Sequence, residues 1–120
     1  MLIRSQDKTV IVNMDNVFGV GIRDTNGATA IYAGSSSGCC DIAEYSTKTK
    51  AMKVLDMIQE AYADFESAKI TSTGLATAAY TGSYDTPESV TAGIKVLKGY
   101  AEMIRESVVF QMPADSEVEV

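Results

Sequence analysis

Short runs of apolar and β-branched residues dominate the first 45 positions of the chain, and apolar residues at helical spacing follow them. The segments "MLIRS" and "TVIVNM" flank a polar stretch in which Asp7 suits a turn, so they predict a first β-hairpin. Asn26-Gly27 is the strongest hairpin signal of the sequence, because both residues tolerate the positive φ of a type I′ turn. Two consecutive hairpins are therefore predicted.

The two-residue turn fixes the register of the second predicted hairpin. It places Ile22 opposite Ile31, and it lays the ring of Tyr32 over Gly21. One face of this hairpin carries alternating apolar side chains and is expected to be core. That face consists of Phe18, Val20, Ile22, Ile31 and Ala33.

The small-residue stretch "GSSSGCC" leads into a predicted fifth strand, "CDIAEY". A phosphate-binding loop needs a Gly-Lys-Ser/Thr ending that opens a helix, whereas here Cys39 follows and the next segment is typical of a strand. We therefore interpret the stretch as a turn between strands. Successive side chains of a strand point to opposite faces, so one of Cys39 and Cys40 is expected to pack and the pair to be structural.

Helical spacing predicts two helices, at about 46–66 and 87–107. Ser46 or Thr47 can cap the first, and its apolar face consists of Ala51, Val54, Leu55, Ile58, Tyr62 and Phe65. Thr86 followed by Pro87 is typical of the start of the second. Its apolar residues form two stripes, so a helix partner is expected, either the first helix or another subunit. The stripes are Val90, Ile94, Leu97, Ala101 and Ile104, and beside them Val96, Tyr100 and Met103.

The predicted fold class is α+β. An antiparallel sheet of about five to six strands, formed by the N-terminal hairpins and closed by a strand near 108–112, packs with the two helices. A chain of 120 residues with 46% apolar and 22% charged residues suits one globular domain. We assign that domain to 1–112 and an acidic C-terminal tail to 113–120.

Charge and apolar patterning limit the partners of the chain. The net charge is −6 and the ten basic residues are scattered, which argues against generic nucleic-acid binding. No apolar run reaches the length of a membrane span, and the first residues lack the pattern of a signal peptide, so we expect a cytoplasmic protein without a membrane partner. The second stripe of the 87–107 helix favours a homodimer or higher homo-oligomer.

The chain contains no histidine, which removes the most frequent acid–base residue, the Cys-His dyad and the usual zinc ligands. Carboxylate pairs four apart on a helix, such as Asp56 with Glu60, are typical of a solvated face. We therefore expect no enzyme activity, no catalytic residue, no metal site and no cofactor.

Residues 70–84, "ITSTGLATAAYTGSY", form a long uncharged stretch. Hydroxyls, backbone amides and tyrosines of this kind are typical of adaptable binding loops. A plain linker or a β-ribbon at a subunit contact fits the composition equally well. If it binds a ligand, an arginine nearby would hold a phosphate or carboxylate. The predicted ligand-binding residues are Tyr80, Tyr84, Arg105, Arg23 and Tyr32.

Three blocks of the sequence, "MLIRSQDK", "EYSTKTKAMKVLDMIQEAY" and "FQMPADSEV", resemble a family of small uncharacterised proteins from Gram-positive bacteria, their prophages and mobile elements. The resemblance implies strands, a helix and a closing "FQMP" strand, and it carries no activity to any residue. The span from about 66 to 107 departs from the family as an elaboration.

A mobile-element origin suggests two functions. The first is a phage anti-defence protein that sequesters a small nucleotide signal of host immunity, in the manner of the anti-Thoeris sponges. The second is a protein-binding inhibitor or adaptor that acts on a host defence protein.

Overall fold

The computed structural model describes residues 1–81 and 86–120, except for the side chains of residue 72 and of residues 75–81. The chain divides into two compact units. The first unit comprises residues 1–62 and 109–120, and the second comprises residues 63–108. Each is described by itself. In the described part of the chain, no helix is both long enough and apolar enough to span a membrane.

The first unit contains a small sheet with the strand order β2-β1-β6. Strand β1 (Leu2–Arg4) pairs antiparallel with β2 (Ile11–Asn13), which confirms the first predicted hairpin. The turn between them is held by Asp7, whose carboxylate accepts hydrogen bonds from Ser5 Oγ at 2.7 Å and from Thr9 N–H at 3.0 Å. These bonds lower the pKa of Asp7 to about 2. Strand β6 (Val109–Gln111) lies on the other side of β1 and runs parallel to it.

The second sheet has the order β3-β4-β5, with strands at Gly19–Thr25, Ala28–Ser35 and Gly38–Tyr45. The pairs Ile22–Ile31 and Gly21–Tyr32 confirm the predicted register. The turn residues Asn26 and Gly27 have φ values of 40° and 87°, as the type I′ turn requires. A further two-residue turn joins β4 to β5, so the interpretation of "GSSSGCC" as a turn between strands is also confirmed.

The α+β class, the two helices and the six strands agree with the sequence, but the prediction of a single antiparallel sheet is wrong. The strands form two separate three-stranded sheets, and β6 is parallel to β1. A parallel neighbour requires a long crossover, which the helical segment between β5 and β6 supplies. Pairing between strands about 105 residues apart leaves no local signal in the sequence.

The core of the first unit lies between its sheets, the start of the first helix and the C-terminal segment. Its largest fully buried side chains are Tyr45, Ile3, Ile31, Ile42, Met112 and Val54. Two expectations about burial are wrong. Phe18 is 84% exposed: it precedes β3, next to the terminal pair Gly19–Gly34, and its N–H still donates to the carbonyl oxygen of Gly34 at 2.7 Å. Cys39 and Cys40 are both exposed free thiols. They lie at the beginning of edge strand β5, next to the turn from β4, whereas the buried residues of β5 lie at its other end.

Helix α1 (Lys48–Thr81) begins where the sequence predicts. It ends at Thr81, about fifteen residues beyond the predicted end near residue 66. Thr47 Oγ1 accepts a hydrogen bond from Lys50 N–H at 3.2 Å and caps the first turn. Ala51, Val54, Ile58 and Phe65 are buried, as their spacing predicts. The prediction of a loop, ribbon or linker across 70–84 is wrong for residues 70–81, which are helical. Residues 70–81 contain no proline to break an established helix, and propagation through Ala, Ser and Thr, with Gly74 costing about 1 kcal/mol, is less demanding than starting a new helix.

Helix α2 (Pro87–Ser107) begins and ends where the sequence predicts. Thr86 is its N-cap, and Thr86 and Ser89 form a reciprocal capping box. Within this helix, which is described over its whole length, no residue is buried. The exposed apolar side chains are Val90, Ile94, Val96, Leu97 and Met103.

The acidic segment 113–120 packs within the first unit. The Asp115 carboxylate accepts hydrogen bonds from Ser46 N–H at 2.7 Å and from Lys50 Nζ at 3.1 Å, and these bonds lower its pKa. Val118 is buried. The Tyr45 hydroxyl donates to the carbonyl oxygen of Pro113 at 2.9 Å, and burial raises the pKa of Tyr45. The segment therefore binds the start of α1 to the sheets.

Candidate functional site

The outer face of the β3-β4-β5 sheet carries one aromatic ring on a bed of glycines. A Cβ atom added to Gly21 would lie 2.8 Å from Tyr32 Oη, and one added to Gly34 would lie 4.0 Å from Tyr32 Cε2. The Tyr32 ring therefore lies along the sheet over both glycines. We call this ring and the two glycines beneath it the tyrosine platform. Because one ring face is against the backbone, the opposite face is directed outward.

An ion pair borders the tyrosine platform. Arg23 Nη2 lies 2.5 Å from Asp41 Oδ1, and the guanidinium carbon of Arg23 lies over the Tyr32 ring, 5.9 Å from its centroid, in a cation–π contact. Asp41 is the register partner of Tyr32 on β5, whereas Arg23 reaches across from β3. The hydrogen bond to Asp41 raises the pKa of Arg23. Both charged side chains remain nearly half exposed, at 47% and 44%, so a ligand can reach them.

The two remaining borders of the platform differ in chemistry. On one side a cavity of about 210 Å³ is lined in part by Asp41, Glu44, Asp7 and Gln6, so its polar wall is acidic. On the other side Cys39 Sγ lies 3.7 Å from the position that a Cβ on Gly34 would occupy. A ligand stacked on the ring would therefore meet a charged pair and carboxylates at one edge and a thiol at the other.

The sequence named five ligand-binding residues, and the structure brings two of them together. Arg23 and Tyr32 meet at the tyrosine platform. Arg105 is an exposed residue of the last turn of α2, in the second unit. The Tyr80 side chain and the whole of Tyr84 lie outside the described residues.

Asp41 belongs to the candidate site, and the sequence interpretation did not name it. The signal for it was present in the turn between β4 and β5. A two-residue turn at 36–37 pairs Ser35 with Gly38, and counting back from that pair places Asp41 beside Tyr32. A turn predicted without its length leaves the pairing of β4 with β5 open, and the position of Asp41 follows only from that pairing.

A second concavity lies within the second unit, between α1 and α2. The cleft measures about 510 Å³, and it contains two carboxylates, an aromatic ring and hydroxyls. The lining residues are Asp64, Ser67, Ala68, Thr71, Tyr100, Met103, Glu106 and Ser107. The Ser107 hydroxyl already donates to the carbonyl oxygen of Met103 at 2.9 Å. These lining residues include no basic side chain, so the cleft offers no charged donor to a ligand, whereas the tyrosine platform has Arg23.

Over residues 1–81 and 86–120, no three His, Cys, Asp or Glu side chains form a group that would hold a metal ion. The chemistry that the described sites offer is stacking, ion pairing and hydrogen bonding.

Comparison with known proteins gives no match. No protein-family model matches the chain, and neither the curated proteins nor the solved structures include a significant match to it. The resemblance to small proteins of Gram-positive bacteria, their prophages and mobile elements therefore stays a prediction.

Proposed function

We propose that this protein is a non-enzymatic, cytoplasmic binding protein that takes up a small nucleotide at the tyrosine platform. The observation that carries the proposal is the Tyr32 ring, laid flat over Gly21 with the Arg23–Asp41 ion pair at its border. This arrangement combines an aromatic face with a donor and an acceptor within one small area. A nucleotide matches those three features, because its base is flat and carries hydrogen-bond donors and acceptors along its edge.

Each part of the platform has a task in this proposal. The outward face of Tyr32 stacks on the base, an interaction that contributes about 1–3 kcal/mol in single-strand nucleic-acid binding. Arg23 donates hydrogen bonds to acceptors of the ligand, and its planar guanidinium suits two at once. Asp41 accepts from amino or hydroxyl groups. The glycines keep the ring flat, since a side chain at Gly21 would meet the tyrosine.

The biological role that we propose is anti-defence. A phage or mobile element that encodes this protein would use it to sequester a nucleotide signal of host immunity, so binding without conversion is the activity required. The support is the resemblance of three sequence blocks to prophage proteins, together with the lack of histidine in the chain. A sponge acts by stoichiometry, which needs binding but no catalytic group.

The proposed assembly is a homodimer or a higher homo-oligomer. Its support is helix α2, on which apolar residues of both stripes stay 40–52% exposed: Val90, Ile94 and Leu97 of the first, and Val96 and Met103 of the second. A contiguous apolar stripe on a small domain is unfavourable in water, and association with another copy would cover it.

A second candidate function is inhibition of a host defence protein, and the same stripe of α2 favours it. An amphipathic helix with an unpartnered apolar face can lie in a groove of another protein. The two functions differ in the residues on which binding depends. The sponge requires Tyr32 on the sheet, whereas the inhibitor requires the apolar residues of α2.

Calorimetric titration with cyclic nucleotides and ADP-ribose derivatives tests the proposed function. We expect wild-type protein to bind at least one of them, and Tyr32→Ala to weaken that binding by about 10- to 100-fold through lost stacking. Tyr62→Ala is the matched control, because Tyr62 is an exposed tyrosine of the same unit on α1. Absence of heat with every compound, combined with capture of a host protein through α2, would reject the sponge in favour of the inhibitor.

A further inference from the structure

We propose that the Arg23–Asp41 ion pair selects the base that stacks on Tyr32, and that it favours guanine over adenine and hypoxanthine. The inference rests on the proposed function of the tyrosine platform and specifies its ligand. In this proposal the ion pair forms hydrogen bonds to the edge of the base, and Asp41 is the residue that determines specificity.

The position of Asp41 brings its carboxylate to the edge of the stacked base. Tyr32 and Asp41 are direct neighbours on β4 and β5, and neighbouring residues of a register pair have Cβ atoms about 5 Å apart. The Arg23 guanidinium lies over the Tyr32 ring, 5.9 Å from its centroid, so a base on the ring would share that face with the guanidinium and lie beside it. A base stacked on the ring therefore has one edge turned toward a carboxylate and a guanidinium that lie side by side.

The ion pair keeps hydrogen-bonding capacity for a ligand. Over the described residues, the only side-chain partner of the Asp41 carboxylate is Arg23, through Oδ1. A carboxylate has about four lone-pair sites and a guanidinium has five N–H donors. Exposed ion pairs contribute little stability, so a modest rearrangement to admit a base costs little. The pair thus presents acceptors beside donors.

Guanine complements that arrangement better than the other common bases. Its Watson–Crick edge carries two adjacent donors, N1–H and N2–H, beside the O6 acceptor. The two oxygens of Asp41 can accept from both donors while Arg23 donates to O6. Adenine offers one amino donor next to the N1 acceptor, whose lone pair would face the carboxylate. Hypoxanthine keeps N1–H and O6 but lacks the 2-amino group, so it forfeits one charge-assisted hydrogen bond.

The charges around the ion pair also favour a neutral base edge over a phosphate at this border. Asp41 neutralises Arg23 at 2.5 Å, and Asp7 and Glu44 line the adjoining cavity. A phosphate placed there would face three carboxylates, whereas an amino-bearing base edge would meet acceptors. The sequence-based expectation that Arg23 holds a phosphate is thereby replaced by a role in base recognition.

The test compares the 5′-monophosphates of guanosine, inosine and adenosine, which share one sugar and one phosphate. By calorimetry with wild-type protein, we expect GMP to bind about 10- to 100-fold more tightly than IMP or AMP, since a hydrogen bond to a charged group is lost in each case. In Asp41→Asn, we expect GMP affinity to fall. Xanthosine 5′-monophosphate should gain, because the amide N–H₂ can donate to its O2. Asp56→Asn, on the exposed face of α1, should change none of these values.

The outcomes separate this inference from the proposed function. Equal binding of GMP, IMP and AMP, with all three weakened by Tyr32→Ala, would overturn base selection and leave the stacking function standing. A guanine preference that survives Asp41→Asn would overturn the role of Asp41. Failure of every nucleotide to bind would overturn both. Circular dichroism and thermal unfolding of each variant exclude misfolding as the cause.

Discussion

The two units of this protein treat their apolar residues in opposite ways. The first unit buries Tyr45, Ile31 and Val54 almost completely, and the C-terminal segment covers the start of α1. In the second unit, helix α2 has no buried residue, although its apolar residues recur at helical spacing. Burial of apolar surface is the main source of stability. The first unit therefore covers its own apolar side chains, whereas α2 leaves apolar surface exposed that the proposed association would cover.

The largest expected effect is a difference between two identical substitutions, one in each unit. Ile31→Ala should lower the free energy of unfolding by about 2–5 kcal/mol, because it leaves a cavity beneath β4. Ile94→Ala should change it by less than about 0.5 kcal/mol at low protein concentration, because that side chain is half exposed. Urea denaturation measures both. Equal losses in the two variants would show that α2 is as well packed as the sheets.

The next effect concerns the glycine bed of the platform, for which the chain offers a matched pair. Gly21→Ala would place a methyl group 2.8 Å from Tyr32 Oη, whereas Gly19→Ala meets nothing within 4 Å. We expect the first to cost about 1–3 kcal/mol of stability and to weaken nucleotide binding by tilting the ring. The second should leave both nearly unchanged. Denaturation and calorimetry on the two variants decide it, and indistinguishable results would mean that the ring does not rest on Gly21.

Self-association tests the purpose of the α2 surface. Replacing Val96 and Met103 with Asp puts charge into an apolar contact, so we expect an oligomer to dissociate into monomers in sedimentation velocity. The matched control replaces Lys95 and Glu102 with Asp and Gln, which alters α2 without touching its apolar stripes. A wild-type protein that is already monomeric at high concentration would end the homo-oligomer proposal and strengthen the inhibitor.

The sequence predicted best those features that arise from adjacent residues. Asn26-Gly27 determined the turn and the pairing of Gly21 with Tyr32, because a two-residue turn leaves one register. Thr86 and Pro87 marked the start of α2 for an equally local reason. The burial of Phe18 was predicted wrongly, because the alternation of apolar residues alone does not show that β3 begins only at Gly19.

Features that depend on distant residues were not predictable in this way. The parallel pairing of Ile3 with Phe110 joins residues from the two ends of the chain. The extension of α1 to Thr81 depends on helix propagation through a stretch that resembles a loop in composition. Predicting the Arg23–Asp41 pair requires the register of β3 with β4 and also that of β4 with β5. The sequence interpretation used only the first.

The smallest expected effect is a pH dependence that is confined to the first unit. Hydrogen bonds from Ser46 and then Lys50 lower the pKa of Asp115 from its ordinary value of 3.8. A carboxylate with a lowered pKa stabilises the folded state above its unfolded pKa, and that stability is lost as the pH falls through the folded pKa. The difference in unfolding free energy between wild type and Asp115→Asn should therefore be constant above about pH 5 and shrink below pH 3.8. Chemical denaturation at a series of pH values measures it, with Asp56→Asn as the exposed control. A difference that stays flat down to pH 2 would show that the Asp115 carboxylate contributes nothing through its charge to the attachment of the C-terminal segment.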